Sequence, residues 1–151
     1  RWHGASQKVG QSAAPLFLDR IDIQCEITPV PFKDISKAAP GEPSANIRER
    51  VIKAREIQAA RYKDYKGIHC NAQMTERMIH QFAEPNEAGI DMLRMAMEKL
   101  SLSARAYSRI LKVARTIADL EGCEHVELHH LAEAIGYRAL DRGDWAERGH
   151  I

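Results

Sequence analysis

Arg105 is the residue whose position most clearly suggests chemistry. Ser101 or Ser103 can cap a predicted helix that ends near Gly122, and Arg105 then falls in its first turn. The helix dipole disfavours a positive charge at that end unless an anion lies nearby. The spacing therefore favours an anion bound at the start of this helix.

The rest of the same helix divides into an apolar and a polar face when it is plotted at about 100° per residue. Arg109 and Lys112 lie on the polar face with Arg105, and a solvated helix surface is the ordinary explanation of such a pattern. The apolar face predicts core packing, and it consists of Tyr107, Ile110, Leu111, Ala114, Ile117 and Ala118.

Upstream, residues 18–27 predict a half-buried strand, because apolar and polar residues alternate there. Pro29 and Pro31 end the pattern. A single strand cannot form a sheet, since its backbone groups need a paired neighbour. We therefore expect this strand to belong to the sheet of a longer chain.

From Ser44 onward the pattern is helical, so the predicted fold is mainly α: a bundle of about five helices preceded by one strand. In the first helix Ile47, Val51, Ala54 and Ile57 have helical spacing. The predicted helices cover 44–65, 75–82, 85–99, 101 or 103 to 121, and 127–140. The expected divisions are an irregular arm (1–14), the strand segment (15–32), a linker (33–43), the helical domain (44–142) and a tail (143–151).

Composition predicts one domain without a global charge field. The 151 residues carry a formal charge of +1, which disfavours nucleic-acid binding over the whole surface. The three cysteines are far apart and unpaired in sequence, so we expect a reducing cytoplasm rather than a disulfide framework. No apolar run is long enough to predict a membrane span.

The first predicted helix carries the notable basic patch. Between 44 and 66 there are seven basic and three acidic residues. A solvated face with internal ion pairs explains such a patch. The alternative is a non-enzymatic module that binds DNA or a protein partner, with Arg48, Lys53 and Arg55 as the phosphate contacts.

Histidine and cysteine residues cluster in two places without predicting a metal site. No pair has the spacing of a zinc frame, so we expect no metal, and His129 and His130 are predicted to flank the core face of the fifth helix. The residues concerned are His69, Cys70, Cys123, His125, His129 and His130.

Several segments resemble the C-terminal third of the magnesium-chelatase-like AAA+ ATPases, in the YifB/ComM subfamily. The most specific is the run at 102–120, which contains Ser-Ala-Arg-Ala-Tyr. The others are Leu-Asp-Arg-Ile-Asp at 18–22, Ser-Ala-Asn-Ile-Arg-Glu-Arg-Val at 44–51, Asn-Ala-Gln at 71–73 and the segment 131–138. The resemblance covers about 15–142 and implies the helical lid of such an ATPase.

The resemblance also implies functional residues. Arg20 corresponds to an arginine finger that acts in trans on the next subunit, and Arg105 to the second-sensor arginine, with Arg109 beside it at the nucleotide. An arginine placed against the γ-phosphate can be worth about 10³ to 10⁵ in rate. The implied ligands of the full-length protein are ATP and Mg²⁺, in a homo-oligomeric ring, a hexamer. The implied task is DNA remodelling of a branch-migrating or helicase-like kind, linked to competence.

Two parts of an ATPase are missing from the sequence. No Gly-Lys dipeptide occurs, so the phosphate-binding loop is absent, and no apolar strand ends in Asp-Glu to hold Mg²⁺. We therefore expect ATP hydrolysis only from the full-length protein, and no tightly bound cofactor in this chain alone.

Overall fold

The computed structural model describes residues 20–25, 27, 29–31 and 40–138, and this part of the chain is helical. Within it lie five α-helices and one short 3₁₀ helix, which confirms the predicted mainly α fold. They are α1 (Ser44–Tyr62), the 3₁₀ helix (Asn71–Gln73), α2 (Glu76–Phe82), α3 (Glu87–Leu100), α4 (Ala104–Glu121) and α5 (Leu128–Gly136). None of these helices combines the length and apolar character that crossing a membrane requires.

Polar caps determine where three of the helices begin. The side chains of Thr75, Asn86 and Ser103 each accept a backbone N–H from the first turn, over 3.4, 3.0 and 3.2 Å. Ser103 rather than Ser101 therefore caps α4. Gly122 ends α4 with a φ of 74°, a left-handed conformation that glycine adopts without strain.

Helix α4 forms the centre of the domain and packs against α1, α2, α5 and the 3₁₀ helix. Its predicted apolar face is buried at Ile110, Leu111, Ala114, Ile117 and Ala118, as expected. The rest of the core comes from the other helices and from the segments between them: Tyr62, Met74, Met78, Ile79, Ala83, Leu93, Val126, Leu131 and Ala134.

The residues that α1 buries differ from those that the sequence predicted. Ile47 and Val51 are 43% and 47% exposed, although their spacing predicted core positions. The buried residues of α1 are Ala54, Gln58 and Tyr62, because only the second half of the helix packs on the core.

Two helices are shorter than predicted. A turn follows α1 at Tyr62, where the prediction ran to 65, and Gly67 there has a φ of 81°. Helix α5 ends at Gly136 rather than near 140, and residues 139–151 lie outside the described part. The connection between α1 and α2 contains the 3₁₀ helix.

The predicted strand is not confirmed. Among residues 20–25 and 27 no strand forms, and the described part of the chain offers no other strand for pairing. This segment instead meets the end of α5: the Gln24 N–H donates to the Tyr137 carbonyl over 3.0 Å, and Arg138 Nη1 donates to the Ile21 carbonyl. The predicted arm at 1–14 lies outside the described residues.

Candidate functional site

A cleft of about 830 Å³ runs along the polar face of α4. On α4 its polar lining consists of Arg105, Ser108, Arg109, Lys112 and Thr116. The segment at 22–23, the 3₁₀ helix with the start of α2, and the end of α5 supply the rest. The face predicted to be solvated is therefore one wall of a concave site.

Three cations share this cleft but differ in their partners. Arg109 forms an ion pair with Asp22, and Lys112 Nζ donates to the Ala72 carbonyl over 3.0 Å. Arg105 lies in the first turn of α4, is exposed, and has no side-chain partner in the described part of the chain. Among these three, Arg105 is thus the cation without a side-chain partner in the described residues, at a helix end whose dipole favours anions.

The carboxylates that line the cleft already have partners. Asp22 is held by an arginine, and Glu76 accepts from the Ser108 hydroxyl over 2.9 and 3.0 Å. Glu133 accepts from the Tyr137 hydroxyl over 2.8 Å, and this bond raises the pKa of Tyr137, so the phenol stays a donor. Mg²⁺ is usually bound through one or two carboxylates, and those of the cleft are engaged by an arginine and two hydroxyls. The described residues therefore do not fit a magnesium site of their own.

The cleft also has an apolar part. Val113, Ile117 and Leu120 line it from the second half of α4, whereas the cations come from the first half. Tyr107 lies between Arg105 and Arg109 in sequence, and burial raises the pKa of its phenol, with Glu84 and Glu76 adding to the shift. A ligand with an anionic and an apolar end suits this division of the helix.

A second polar cluster of α4 lies inside the protein and was not predicted from the sequence. We call it the Asp119 network. Asp119 is 1% exposed and accepts hydrogen bonds from Arg61, from Arg115 and from Asn71, the last over 2.8 Å. The Tyr62 hydroxyl adds a 2.6 Å bond to Asn71. The network fixes α1 and the 3₁₀ helix to α4.

Arg115 links the Asp119 network to the backbone that follows α4. Its side chain is 1% exposed, and its two terminal nitrogens donate to the Glu124 and Cys123 carbonyls over 2.7 and 2.5 Å. Burial lowers the pKa of Arg115, while the Asp119 carboxylate opposes that shift. An arginine remains charged under both influences, so its role here is to satisfy carbonyls and a buried carboxylate. The one sequence signal was the i, i+4 spacing of Arg115 and Asp119.

Among the described residues, Glu121, His129 and His130 form a group whose possible ligand atoms all lie within 4.8 Å of one another, as a metal site would require. Glu121 Oε2 lies 2.9 Å from His129 Nε2 and 3.0 Å from His130 Nε2. His130 Nδ1 accepts the Glu127 backbone N–H over 2.9 Å, which assigns the ring proton to Nε2. In a histidine that binds a metal through Nε2, the ring proton is on Nδ1, which donates it to a neighbouring group. In His130 the proton is on Nε2 instead. The trio is therefore a hydrogen-bonded clamp between α4 and α5.

Comparison with known proteins decides the family. Residues 41–138 match the family described as magnesium chelatase, subunit ChlI C-terminal. The chain belongs to this chelatase family. Among its relatives, competence protein ComM of Haemophilus influenzae is 43% identical over 127 residues, which are 83% of this chain and 24% of that protein.

Other members of the chelatase family show the same partial coverage. The uncharacterized protein YifB of Escherichia coli is 41% identical over 127 residues, 83% of this chain and 24% of that protein. An uncharacterized protein of Mycobacterium tuberculosis is 32% identical over 130 residues, 86% and 25% of the two chains. The resemblance to the YifB/ComM subfamily is thereby confirmed. The chain spans about a quarter of the length of these curated relatives.

Within this chelatase-family domain, the structure brings together some candidate residues and separates others. Arg105 and Arg109 line one cleft. Arg20 is exposed near the cleft-lining segment but is not part of the lining. The candidates for DNA contact are exposed on α1, away from the cleft lining: Arg48, Lys53 and Arg55.

Proposed function

We propose that this chain is the C-terminal lid of a magnesium-chelatase-like AAA+ ATPase, and that the cleft along α4 is the lid side of its ATP site. The observation that carries the proposal is the placement of Arg105 in the cleft at the N-terminus of α4, without a side-chain partner in the described residues. Family membership supports the same assignment. The remainder of the full-length protein supplies the phosphate-binding loop and the carboxylates that hold Mg²⁺.

In this proposal Arg105 contacts the phosphates as the second-sensor arginine. Arg109 lies on the same face and keeps further N–H donors beside the one that it gives to Asp22, so it can also reach an oxyanion. Carboxylates elsewhere in the full-length protein would hold Mg²⁺, which would supply positive charge against the phosphates. Arg20 is exposed and acts as an arginine finger on the nucleotide of the neighbouring subunit in a ring, a hexamer.

The task of the assembled ATPase is proposed to be DNA remodelling, of a branch-migrating or helicase-like kind. The support is the relative named competence protein ComM, which is 43% identical to this chain. The protein works in the cytoplasm under this proposal.

The test uses the full-length protein and three variants. Arg105→Ala should reduce ATP turnover or nucleotide affinity at least about tenfold, because a charge-assisted contact to phosphate is lost. Arg20→Ala should regain activity when mixed with subunits that keep Arg20 but lack a working phosphate loop, since the finger acts in trans. Arg94→Ala is the matched control: Arg94 is an exposed arginine of α3, paired with Asp91 outside the cleft. Unchanged kinetics of Arg105→Ala would refute its sensor role.

A second candidate function is DNA binding by α1. Its specific support is that Arg48, Lys53 and Arg55 are exposed and have no side-chain partner in the described part of the chain. The other cations of α1 are engaged, since Arg50 pairs with Glu42 and Arg61 with Asp119.

Duplex DNA titrated with the chain at increasing salt tests this candidate. We expect binding that weakens steeply with salt and is reduced further by the charge reversals Arg48→Glu and Lys53→Glu. Arg94→Glu applies the same charge change on α3 and should have less effect. A flat titration at low salt would exclude DNA binding by this helix.

A further inference from the structure

We propose that Asp22 is a positioning residue. It couples the cleft of its own subunit to the arginine finger that this subunit presents to the neighbouring subunit. The coupling acts through the finger segment, which we define as residues 20–24. This inference rests on the proposed function, because it takes Arg20 as the finger and the cleft as the ATP site.

The finger segment is fixed to the helical domain at three successive points. Asp22 pairs with Arg109 of α4, and Arg138 Nη1 donates to the Ile21 carbonyl. The Gln24 N–H donates to the carbonyl of Tyr137, directly after α5. The segment therefore follows α4 and α5 when these helices move.

One of these points is anchored in the core. Arg138 is fully buried, with 0% of its surface exposed, so the Ile21 carbonyl is held by a guanidinium that itself cannot shift easily. Arg20, one residue earlier, is exposed and has no side-chain partner in the described residues. The backbone can therefore turn about the anchored Ile21 carbonyl, and the Arg20 side chain is free to reach another subunit.

Arg109 is the shared element between the cleft and the finger segment. It lines the cleft, and its Nη1 is directed at Asp22. A phosphate that binds the same guanidinium competes with the Asp22 carboxylate or redirects it. Because Asp22 lies two residues from Arg20, at most about 7 Å along the chain, such a change alters where Arg20 is presented.

The test is Asp22→Asn in the full-length protein, with ATP as the probe. We expect kcat to fall about 10- to 100-fold with a KM for ATP within about twofold, because a displaced finger affects the transition state more than binding. Asp22→Glu keeps the carboxylate and should restore most of kcat. Asp91→Asn is the control, because it makes the same chemical change in the exposed Asp91–Arg94 pair of α3.

A double variant separates positioning from a general structural role. If Asp22 acts through Arg20, adding Asp22→Asn to Arg20→Ala lowers kcat no further. Mixed rings give a second measurement: Asp22→Asn subunits should be rescued by phosphate-loop-deficient partners as far as Arg20→Ala subunits are.

The outcomes also distinguish the two proposals. If the unmodified protein turns over no ATP, the proposed function fails and this inference fails with it. If it turns over ATP and Asp22→Asn leaves kcat unchanged, or if its effect multiplies with that of Arg20→Ala, the inference alone is overturned.

Discussion

Helix α4 carries arginines in two opposite environments. Arg105 and Arg109 line the cleft, where one is exposed and the other has a single carboxylate partner. Arg115, on the same helix, is 1% exposed and is bonded to Asp119 and two backbone carbonyls. The number of partners, rather than the residue type, separates an arginine that holds the fold from one that can meet a ligand.

This difference has opposite consequences for removal. A buried carboxylate that loses its cations is left without solvation, so changes in the Asp119 network should strongly destabilise the fold. The cleft side chains remain accessible to water after a neighbour is removed. Changes there should alter ligand binding while the fold persists.

The largest expected effect is that of Asp119→Ala. This change leaves Arg61 and Arg115 without their shared partner, and removing one side of a buried ion pair costs about 3–5 kcal/mol. Urea denaturation of the 151-residue chain measures the free energy of unfolding. Asp91→Asn breaks an exposed pair and should have a far smaller effect, because water solvates both groups. A loss below about 1 kcal/mol for Asp119→Ala would abolish the contrast between the two regions.

Sequence patterns predicted the parts of the fold that depend on local interactions. Thr75, Asn86 and Gly122 mark helix ends in the sequence because their side chains or backbone freedom act within one turn. The apolar face of α4 was equally readable, since helical period fixes which residues share a face.

Contacts between distant segments were not predictable in this way. Asn71 and Asp119 are 48 residues apart, and neither has a sequence pattern that reveals the bond between them. The exposure of Ile47 on α1 depends on where the core ends, which spacing does not encode. For the cleft, the sequence placed Arg105 and Arg109 on one face, but the Asp22 that engages Arg109 lies 87 residues away.

A smaller effect is expected at the clamp between α4 and α5, where pH serves as the probe. Hydrogen bonds from His129 and His130 lower the pKa of Glu121 below its ordinary value of 4.5. A lowered pKa means that the charged carboxylate stabilises the folded state above pH 4.5, and that this contribution is lost as pH falls from 4.5 through the lower folded pKa. The melting temperature of the chain should therefore exceed that of Glu121→Gln at neutral pH, and the gap should close toward pH 3.

Glu124→Gln is the control for this titration, since Glu124 is an exposed carboxylate without a side-chain hydrogen bond in the described residues. Its melting temperature should stay near that of the unmodified chain at neutral pH. A gap between Glu121→Gln and the unmodified chain that persists unchanged at pH 3 would show that the carboxylate charge does not contribute to the clamp.

The smallest expected effect on stability is at Arg105, and it should have the opposite sign. A positive charge in the first turn of α4 opposes the helix dipole, so Arg105→Gln should raise the free energy of unfolding by about 0.3 kcal/mol, an increment that added salt reduces. The same denaturation experiment measures it. Such a result would support the proposed sensor role, because a residue that lowers the stability of its own domain and lines a cleft needs a reason other than folding to be there. If Arg105→Gln instead destabilised the chain by about 1 kcal/mol or more, Arg105 would belong with Arg115 among the arginines that hold the fold.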